Sequence, residues 1–431
     1  MKAPSPFTAG ENGGGAFIII YLFCVLFLGL TVLMAEYALG RKSGMSAIEG
    51  IHSLARAENK SENWQVVGWI GSLGAFFILT FYIVISAWVL AFIPQAFGGT
   101  FNGFAAEAAR LTAETGTTVS IADVSASNFG ETISNKYVIG GLLASFLLTN
   151  VFVVARGVKG GIEKAATVLM PAFFILLIGI VGFALVEGDA GAAADFLLTP
   201  DFSEVTMGTF LEAVGQAFFS LSVGSCLMIT YGAYLSRDTN IPRASAIVAS
   251  ADTMVALIAG FAIFPLVFAF GADPAGGPGL FFVSMPIAFS QMGALGVWVG
   301  GAFFLLALFA AFTSSISLME VGVAWLEERE GVTRPGAAMG IGFMLFMIGM
   351  GYVYSTDFID FADIITGNIM LPLCALLLAV FAGWIVSREM LTTELGEGTI
   401  MNLWRFMCRW IVPPALAFIL VLGTLTKLGV I

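Results

Sequence analysis

Residues 210–235 read FLEAVGQAFFSLSVGSCLMITYGAYL, an apolar stretch with a polar centre. It lies in a predicted membrane span at 208–235, because a spanning helix needs about 20 apolar residues. Ser220, Ser222, Gly224 and Ser225 cluster in the middle, where serine hydroxyls compete with the helical backbone and glycine weakens it. We predict two half-helices flanking an unwound segment at 221–225. The alternative is an unbroken helix whose small residues pack against a neighbour.

The composition of the whole chain agrees with a membrane protein. Of its 431 residues 58% are apolar and 11% charged, whereas soluble domains are about 45–50% apolar and about 25% charged. We therefore predict an all-α, polytopic membrane protein with one transmembrane domain over residues 1–431. Its ten predicted spans are 16–39, 67–95, 137–155, 164–186, 208–235, 243–270, 296–326, 336–354, 364–387 and 403–428. The one long connection, 96–136, is rich in Gly and Thr and is expected to be an ordered but irregular loop.

The basic residues indicate how the chain is oriented in the membrane. Fourteen of the 18 Lys and Arg residues fall in alternate connections, beginning with 40–66, and such connections are typically cytoplasmic. This orientation places both chain ends outside. Residues 1–15 show no signal peptide, so we expect one further helix upstream.

Other classes of protein find little support in the sequence. The excess of acidic over basic residues, 29 against 18, argues against nucleic-acid binding. No HExxH or GxSxG motif indicates an enzyme. The four cysteines have no CxxC spacing, so neither a zinc site nor a disulfide framework is predicted. His52, the only histidine, is expected in a solvated loop.

Several polar residues lie deep in the predicted spans. Asp252 with Thr253, and Thr313 with Ser314 and Ser315, fall near the bilayer midplane. Carboxylate, hydroxyl and carbonyl oxygens together suit a hard cation, and the carbonyl end of a half-helix attracts one. The alternatives are a protonated Asp252 bonded to a neighbouring helix and hydroxyls bonded to their own i−4 carbonyls.

Glu36 is the other deep acid that the spans indicate. It either caps free N–H groups of a broken helix or reaches the cytoplasmic headgroups. Tyr82 alone is best explained as packing.

Six motifs together carry a resemblance to a known family. They are ENGGGAF at 11–17, EYALGR at 36–41, ARGVKGGIEK at 155–164, GQAFFSLSVG at 215–224, ITYGAYL at 229–235 and FTSSIS at 312–317. In this order they closely resemble the bacterial branch of the neurotransmitter:sodium symporter family, from residue 10 to the end. The resemblance implies the leucine-transporter fold, with two five-helix inverted repeats and broken first and sixth helices, and it makes 208–235 the sixth helix.

The resemblance also implies roles for single residues. The substrate-binding positions are Ile78, Tyr82, Phe219, Ser220, Ser222, Ser225, Ser314 and Leu318. The sodium-binding positions are Ser220 and Asp252 for the first ion and Ala310, Thr313 and Ser314 for the second. The outer-gate positions are Gln216 and Asp363, and Glu328 is the cytoplasmic-gate acid. Tyr82 would hold the substrate carboxylate, and Phe219 would close over the substrate.

The chain departs from the family pattern in three places. The family's first helix should precede ENGGGAF, and only Pro6 of its Arg-Phe-Pro ending is present. Both sodium sites are therefore expected to be incomplete in this chain. Ala256 stands near the serine of chloride-dependent members, and Ser225 stands where leucine-transporting members have a bulky aromatic.

The implied function is sodium-coupled import of a large apolar or aromatic amino acid across the inner membrane. The alternative is a truncated, non-transporting remnant or a regulatory membrane protein of the same fold.

Overall fold

The computed structural model describes residues 14–271 and 279–427, and within these ranges the regular elements are helical. Residues 1–13, with Pro6 and the start of the ENGGGAF motif, lie outside the described residues. Nine helices in the described ranges are long and apolar enough to cross a membrane. They are α1 (Gly15–Ser43), α3 (Glu62–Phe97), α6 (Lys136–Val154), α7 (Val158–Glu187), α11 (Ile241–Ala269), α13 (Ala294–Glu327), α14 (Arg334–Tyr354), α15 (Phe358–Ile385) and α17 (Thr399–Gly423).

Shorter helices complete the described part of the chain. They are α2 (Ala47–Ala57), α4 (Phe104–Thr115), α5 (Ile121–Ser134), α8 (Ala190–Leu198), α9 (Met207–Ser220), α10 (Leu227–Ala233), α12 (Leu280–Gln291) and α16 (Arg388–Leu395). The nine long helices and the α9–α10 pair correspond to the ten predicted spans. The largest differences are at α7 and α15, each of which begins six residues before its predicted start, at 164 and 364. The first turns of both helices carry charged residues, such as Lys159 and Asp360, and therefore resemble polar connections in the sequence.

The connection 96–136 is ordered, as expected, but the expectation that it is irregular is wrong. This connection contains α4 and α5, and α5 begins with a capping box in which Ser120 and Asp123 satisfy each other's backbone N–H groups. The connection stays on the fold because the ring of Phe129 on α5 packs against Trp88 and Phe282. His52 is also helical, since it lies on α2, where its Nε2 is 3.2 Å from the Glu62 carboxylate.

The long helices are arranged around two large apolar clusters. One contains buried residues of α3, α6, α7, α13 and α14, and the other contains those of α1, α9, α10, α15 and α17. Helices α3 and α13 pack against each other in the first cluster, and α1 packs against α10 in the second. The interrupted helix lies where the two clusters meet, because Phe219 packs on the first and Leu221 is buried in the second.

The break predicted at 221–225 is confirmed. Helix α9 ends at Ser220, α10 begins at Leu227, and Ser222, Gly224 and Cys226 between them have φ angles of 54°, 80° and 59°. Only glycine adopts this left-handed region without strain. Gly224 is required for space as well, because a Cβ atom there would lie 2.3 Å from the Leu371 carbonyl oxygen on α15.

Candidate functional site

Glu36 on α1 holds the backbone of the break. It is fully buried, and its Oε1 accepts a hydrogen bond of 2.6 Å from the Gly224 N–H. The N–H groups of Met228 and Ile229, in the first turn of α10, also face the carboxylate. These donors are free because the first N–H groups of a helix have no intrahelical partner. Of the two interpretations of Glu36, these contacts correspond to the cap of a broken helix rather than to a contact with the headgroups.

Asp252 on α11 lies beside the end of α9. The Ser220 hydroxyl donates a hydrogen bond of 2.5 Å to Asp252 Oδ2. The Tyr21 hydroxyl on α1 lies 3.3 Å from Ser220 Oγ and 3.4 Å from the same carboxylate oxygen. Three helices therefore bring one carboxylate and two hydroxyls together at the carbonyl end of a half-helix, and we name these three residues the Asp252 cluster.

Sequence reasoning missed Tyr21. The signal was present, because a tyrosine within an apolar membrane helix needs a partner for its hydroxyl. What the sequence did not show was that α1 and α9 pack against each other, and this contact directs Tyr21 toward Ser220.

The hydroxyls predicted on α13 have two different environments. Thr313 donates to the carbonyl oxygens of Phe309 and Ala310, both at 3.0 Å. The alternative of a hydroxyl bonded to its own helix therefore describes the hydroxyl proton of Thr313, which is donated to these carbonyls. Its oxygen nevertheless lies beside the Ala310 carbonyl oxygen, so the two predicted ligands are adjacent. Ser314 instead lies beside the Tyr82 hydroxyl across the α3–α13 contact.

The predicted pocket residues divide into two groups. Ile78, Phe219 and Leu318 belong to one apolar cluster, in which Ile78 is buried and the other two are half-buried. Ser225 is buried, and its hydroxyl donates a hydrogen bond of 2.6 Å to the Ser222 carbonyl. The hydroxyl of Ser225 thus stabilises the break, and a pocket-lining role for Ser222 and Ser225 stays a prediction.

The predicted gate residues lie near different helix ends. Gln216 on α9 is buried, and its Oε1 has no hydrogen-bond partner among the described residues. Asp363 is half-buried on α15. Glu328, just after α13, accepts hydrogen bonds from the Ser46 N–H at 2.6 Å and the Ser46 hydroxyl at 2.5 Å. It therefore joins the end of α13 to the start of α2, on the predicted cytoplasmic side.

Glu320 is a further buried acid that the sequence reasoning overlooked. It is fully buried on α13, where Arg334 of α14 forms an ion pair with it and the Tyr234 hydroxyl donates a hydrogen bond of 2.9 Å. Arg334 also donates to the Glu327 carboxylate and to the Val154 carbonyl. The expectation that Glu36 and Asp252 are the two deep acids is therefore wrong, because Glu320 lies within the predicted span 296–326 and is buried as well.

A second residue of α1 holds the chain just beyond α10. Arg41 is buried and donates to the Glu394 carboxylate of α16 at 2.6 Å. Its other nitrogens donate to the backbone carbonyls of Thr239 and Glu394, at 2.5 and 2.7 Å. The α1 helix therefore contacts the chain at both ends of α10, through Glu36 and Arg41.

Comparison with known proteins agrees with this architecture. The model of the sodium:neurotransmitter symporter family matches residues 5–429. The chain is 33% identical over 430 residues to an uncharacterized sodium-dependent transporter, YhdH, of Bacillus subtilis (strain 168), covering 96% of this chain and 91% of that protein. It is 32% identical over 427 residues to an uncharacterized sodium-dependent transporter of Haemophilus influenzae, covering 95% and 90%.

A solved structure shows the same fold. The crystal structure of MhsT in complex with L-phenylalanine superposes with a TM-score of 0.81 at 33% identity, covering 96% of this chain and 93% of that one. This match confirms the predicted all-α, leucine-transporter-like bundle. Together with the family match, it shows that the chain is a multi-pass membrane transporter rather than an enzyme and that it belongs to the sodium:neurotransmitter symporter family.

Proposed function

We propose that this chain imports an amino acid by coupling its movement to sodium, through alternating access around the break between α9 and α10. The observation that carries the proposal is the Asp252 cluster beside the end of α9. In this cluster a carboxylate and two hydroxyls lie within 3.4 Å of one another next to unwound backbone. Unwound backbone inside a transporter is tolerated where it lines a binding cavity.

The proposed ions are two sodium ions at two sets of oxygen ligands. Ser220 and Asp252 would bind the first, and Ala310, Thr313 and Ser314 would bind the second. Hard cations prefer such oxygen ligands, and the relatives are sodium-dependent transporters. The two sets differ in charge, since only the first contains a carboxylate.

The proposed substrate is a large apolar or aromatic amino acid. Ile78, Phe219 and Leu318 are apolar residues in or against the first cluster, and together they would receive the substrate side chain. No charged residue is predicted in this pocket to pair with a lysine or glutamate substrate, and burying an unpaired charge costs several kcal/mol. The MhsT structure that this chain resembles contains L-phenylalanine. Tyr82, one helical turn after Ile78 on α3, would bind the substrate carboxylate.

The proposed motion changes the contacts on the predicted cytoplasmic side. Two contacts connect helices on this side. They are the hydrogen bond between Ser46 and Glu328 and the ion pair between Arg334 and Glu320. For an inward path to open, these contacts have to separate while the Asp252 cluster stays assembled. Gln216 and Asp363 are the proposed residues of the opposite gate.

Uptake by the purified protein in proteoliposomes tests the proposal. We expect accumulation of a radiolabelled aromatic amino acid that requires an inward sodium gradient and stops when potassium or choline replaces sodium. Ser86→Ala serves as a control, because this buried hydroxyl bonds only its own helix, at the Tyr82 carbonyl. Uptake that is equal in sodium and potassium would contradict the proposal.

Competition among the twenty amino acids tests the substrate class. Phenylalanine, tyrosine, tryptophan, methionine or leucine should inhibit uptake most strongly. Pocket size alone discriminates by only about 1–3 kcal/mol per methylene, so several of these should compete. Strongest inhibition by glycine, glutamate or lysine would contradict the substrate class, and binding without accumulation would favour a non-transporting protein of the same fold.

A further inference from the structure

Two cysteines that are far apart in the sequence lie side by side next to the break. The Sγ atoms of Cys226, the last residue of the break, and Cys374, on α15, are 3.9 Å apart, and both residues are fully buried. Both thiols face the same backbone oxygen, the Val67 carbonyl of α3. Its distances are 3.4 Å from the Cys374 sulfur and 4.0 Å from the Cys226 sulfur.

These three atoms have the spacing of ligands around a small tetrahedral cation. Metal–sulfur bonds of about 2.3 Å and metal–oxygen bonds of about 2.1 Å place two sulfurs about 3.8 Å apart and a sulfur and an oxygen about 3.6 Å apart. The observed sides of the triangle, 3.4, 3.9 and 4.0 Å, are close to these values. A cation could therefore bind between the three atoms with small movements of the side chains.

A glycine on α3 makes the space that the two thiols occupy. Gly71 lies one helical turn after Val67, and a Cβ atom there would be 2.3 Å from the Cys226 sulfur and 2.8 Å from the Cys374 sulfur. Any larger residue would push the thiols away. The pair thus depends on three elements: α3, the break and α15.

The chemistry of two buried thiols selects the kind of cation. Thiolates bind soft d¹⁰ ions such as Zn²⁺ and Cd²⁺ far better than they bind sodium or magnesium. Binding breaks two S–H bonds, forms two metal–sulfur bonds and releases two protons to the solvent, with no change in oxidation state. A divalent ion with two thiolates is neutral, which limits the cost of burial in an apolar interior.

We propose that Cys226, Cys374 and the Val67 carbonyl form a binding site for a thiophilic divalent cation. Among the described residues no group of three or more His, Cys, Asp or Glu side chains could hold a metal ion. Here the backbone supplies the third ligand, and the fourth position stays open. The bound ion would join the break to α3 and α15, and under the proposed function it would stop transport.

Titration of the purified protein with Cd²⁺ tests the site without an uptake assay. We expect one equivalent to bind, with thiolate-to-cadmium charge-transfer absorption and the release of two protons per ion. Cys226→Ser and Cys374→Ser should each weaken binding by about 100-fold or more, because a single thiol loses the advantage of two linked ligands. Cys24→Ser and Cys408→Ser are matched controls, since both remove a buried thiol outside the pair, and binding should not change.

Thermal melting gives a second measurement. Because a ligand that binds only the folded state stabilises it, Cd²⁺ should raise the melting temperature of the native protein but not that of Cys374→Ser. Cys226 lies in the break, so Cys226→Ser could fail to fold. In that case the Cd²⁺ affinity of Cys374→Ser decides the test, since Cys374 lies within a regular part of α15. Equal Cd²⁺ affinity in Cys374→Ser and the native protein would overturn the proposal, as would a disulfide between the two cysteines in the untreated protein.

Discussion

Glu36 and Asp252 are both carboxylates inside the membrane-spanning region, but they bond to different kinds of partner. Glu36 accepts from a backbone N–H of the break, whereas Asp252 accepts from the hydroxyls of Ser220 and Tyr21. A backbone N–H can only donate, so Glu36 is fixed as an acceptor. A hydroxyl can rotate and present its lone pairs beside a carboxylate. Glu36 is therefore equipped to hold the backbone, and Asp252 is equipped to share a cation with its neighbours.

The largest effect should come from removing the Glu36 carboxylate. Glu36→Ala leaves the Gly224 N–H buried without a partner, which costs about 1–3 kcal/mol. We expect a lower melting temperature and a lower yield of folded protein. Glu36→Gln keeps a carbonyl acceptor and should be affected less. A Glu36→Ala protein that melts like the native one would contradict the structural role of this acid.

Asp252→Asn should change sodium activation and leave stability nearly unchanged. The amide oxygen still accepts from Ser220 and Tyr21, but the negative charge is lost. We expect the half-saturating sodium concentration for uptake to rise about 30-fold, which corresponds to about 2 kcal/mol. Unchanged sodium activation would show that Asp252 does not bind the ion. A large fall in the melting temperature would show that Asp252, like Glu36, has a structural role.

Thr313→Ala should have a smaller effect on the same measurement, because the hydroxyl carries no charge. We expect the half-saturating sodium concentration to rise about tenfold, or about 1.4 kcal/mol. Thr366→Ala is the matched control, because Thr366 also donates to carbonyls three and four residues before it, at Asp363 and Ala362. Equal effects of the two substitutions would indicate that Thr313 only bonds its own helix.

Replacing chloride with gluconate should have no effect on uptake by the native protein. The fixed charge of Asp252 would offset that of the cation, where a bound anion would otherwise be needed. The measurement is the initial rate of uptake at constant sodium concentration. A rate that falls when chloride is removed would contradict this assignment of Asp252.

The features that were predictable from the sequence are those that one segment determines by itself. Ten apolar stretches predict the spans, and the serines and Gly224 predict the break, because both depend on local backbone preferences. Glu36 was left open between two roles, since choosing required knowing which backbone lay opposite it. The sequence also suggested the candidate ligands of α13, but not that Ser314 would pair with Tyr82.

The features that were missed all depend on which helix faces meet. Tyr21 reaches Ser220 only because α1 packs on α9, and Cys226 meets Cys374 across 148 positions of sequence. Glu320 is buried because Arg334 and Tyr234 approach it from other segments. A single sequence carries no direct record of such neighbours, since nearly every face of these helices is apolar.

The two contacts of α1 with the chain around α10 have a mechanical consequence. Glu36 holds the backbone before α10, and Arg41 holds the carbonyl of Thr239 beyond it. Because α10 is attached to α1 on both sides, it cannot move independently, and we expect it to move with residues 30–43 as one rigid body. The hinges of this rigid body are then the part of the break before Gly224 and the π-helical turn Val25–Gly29 of α1. We therefore expect amide hydrogen exchange to be slow and concerted along this rigid body and faster at the two hinges.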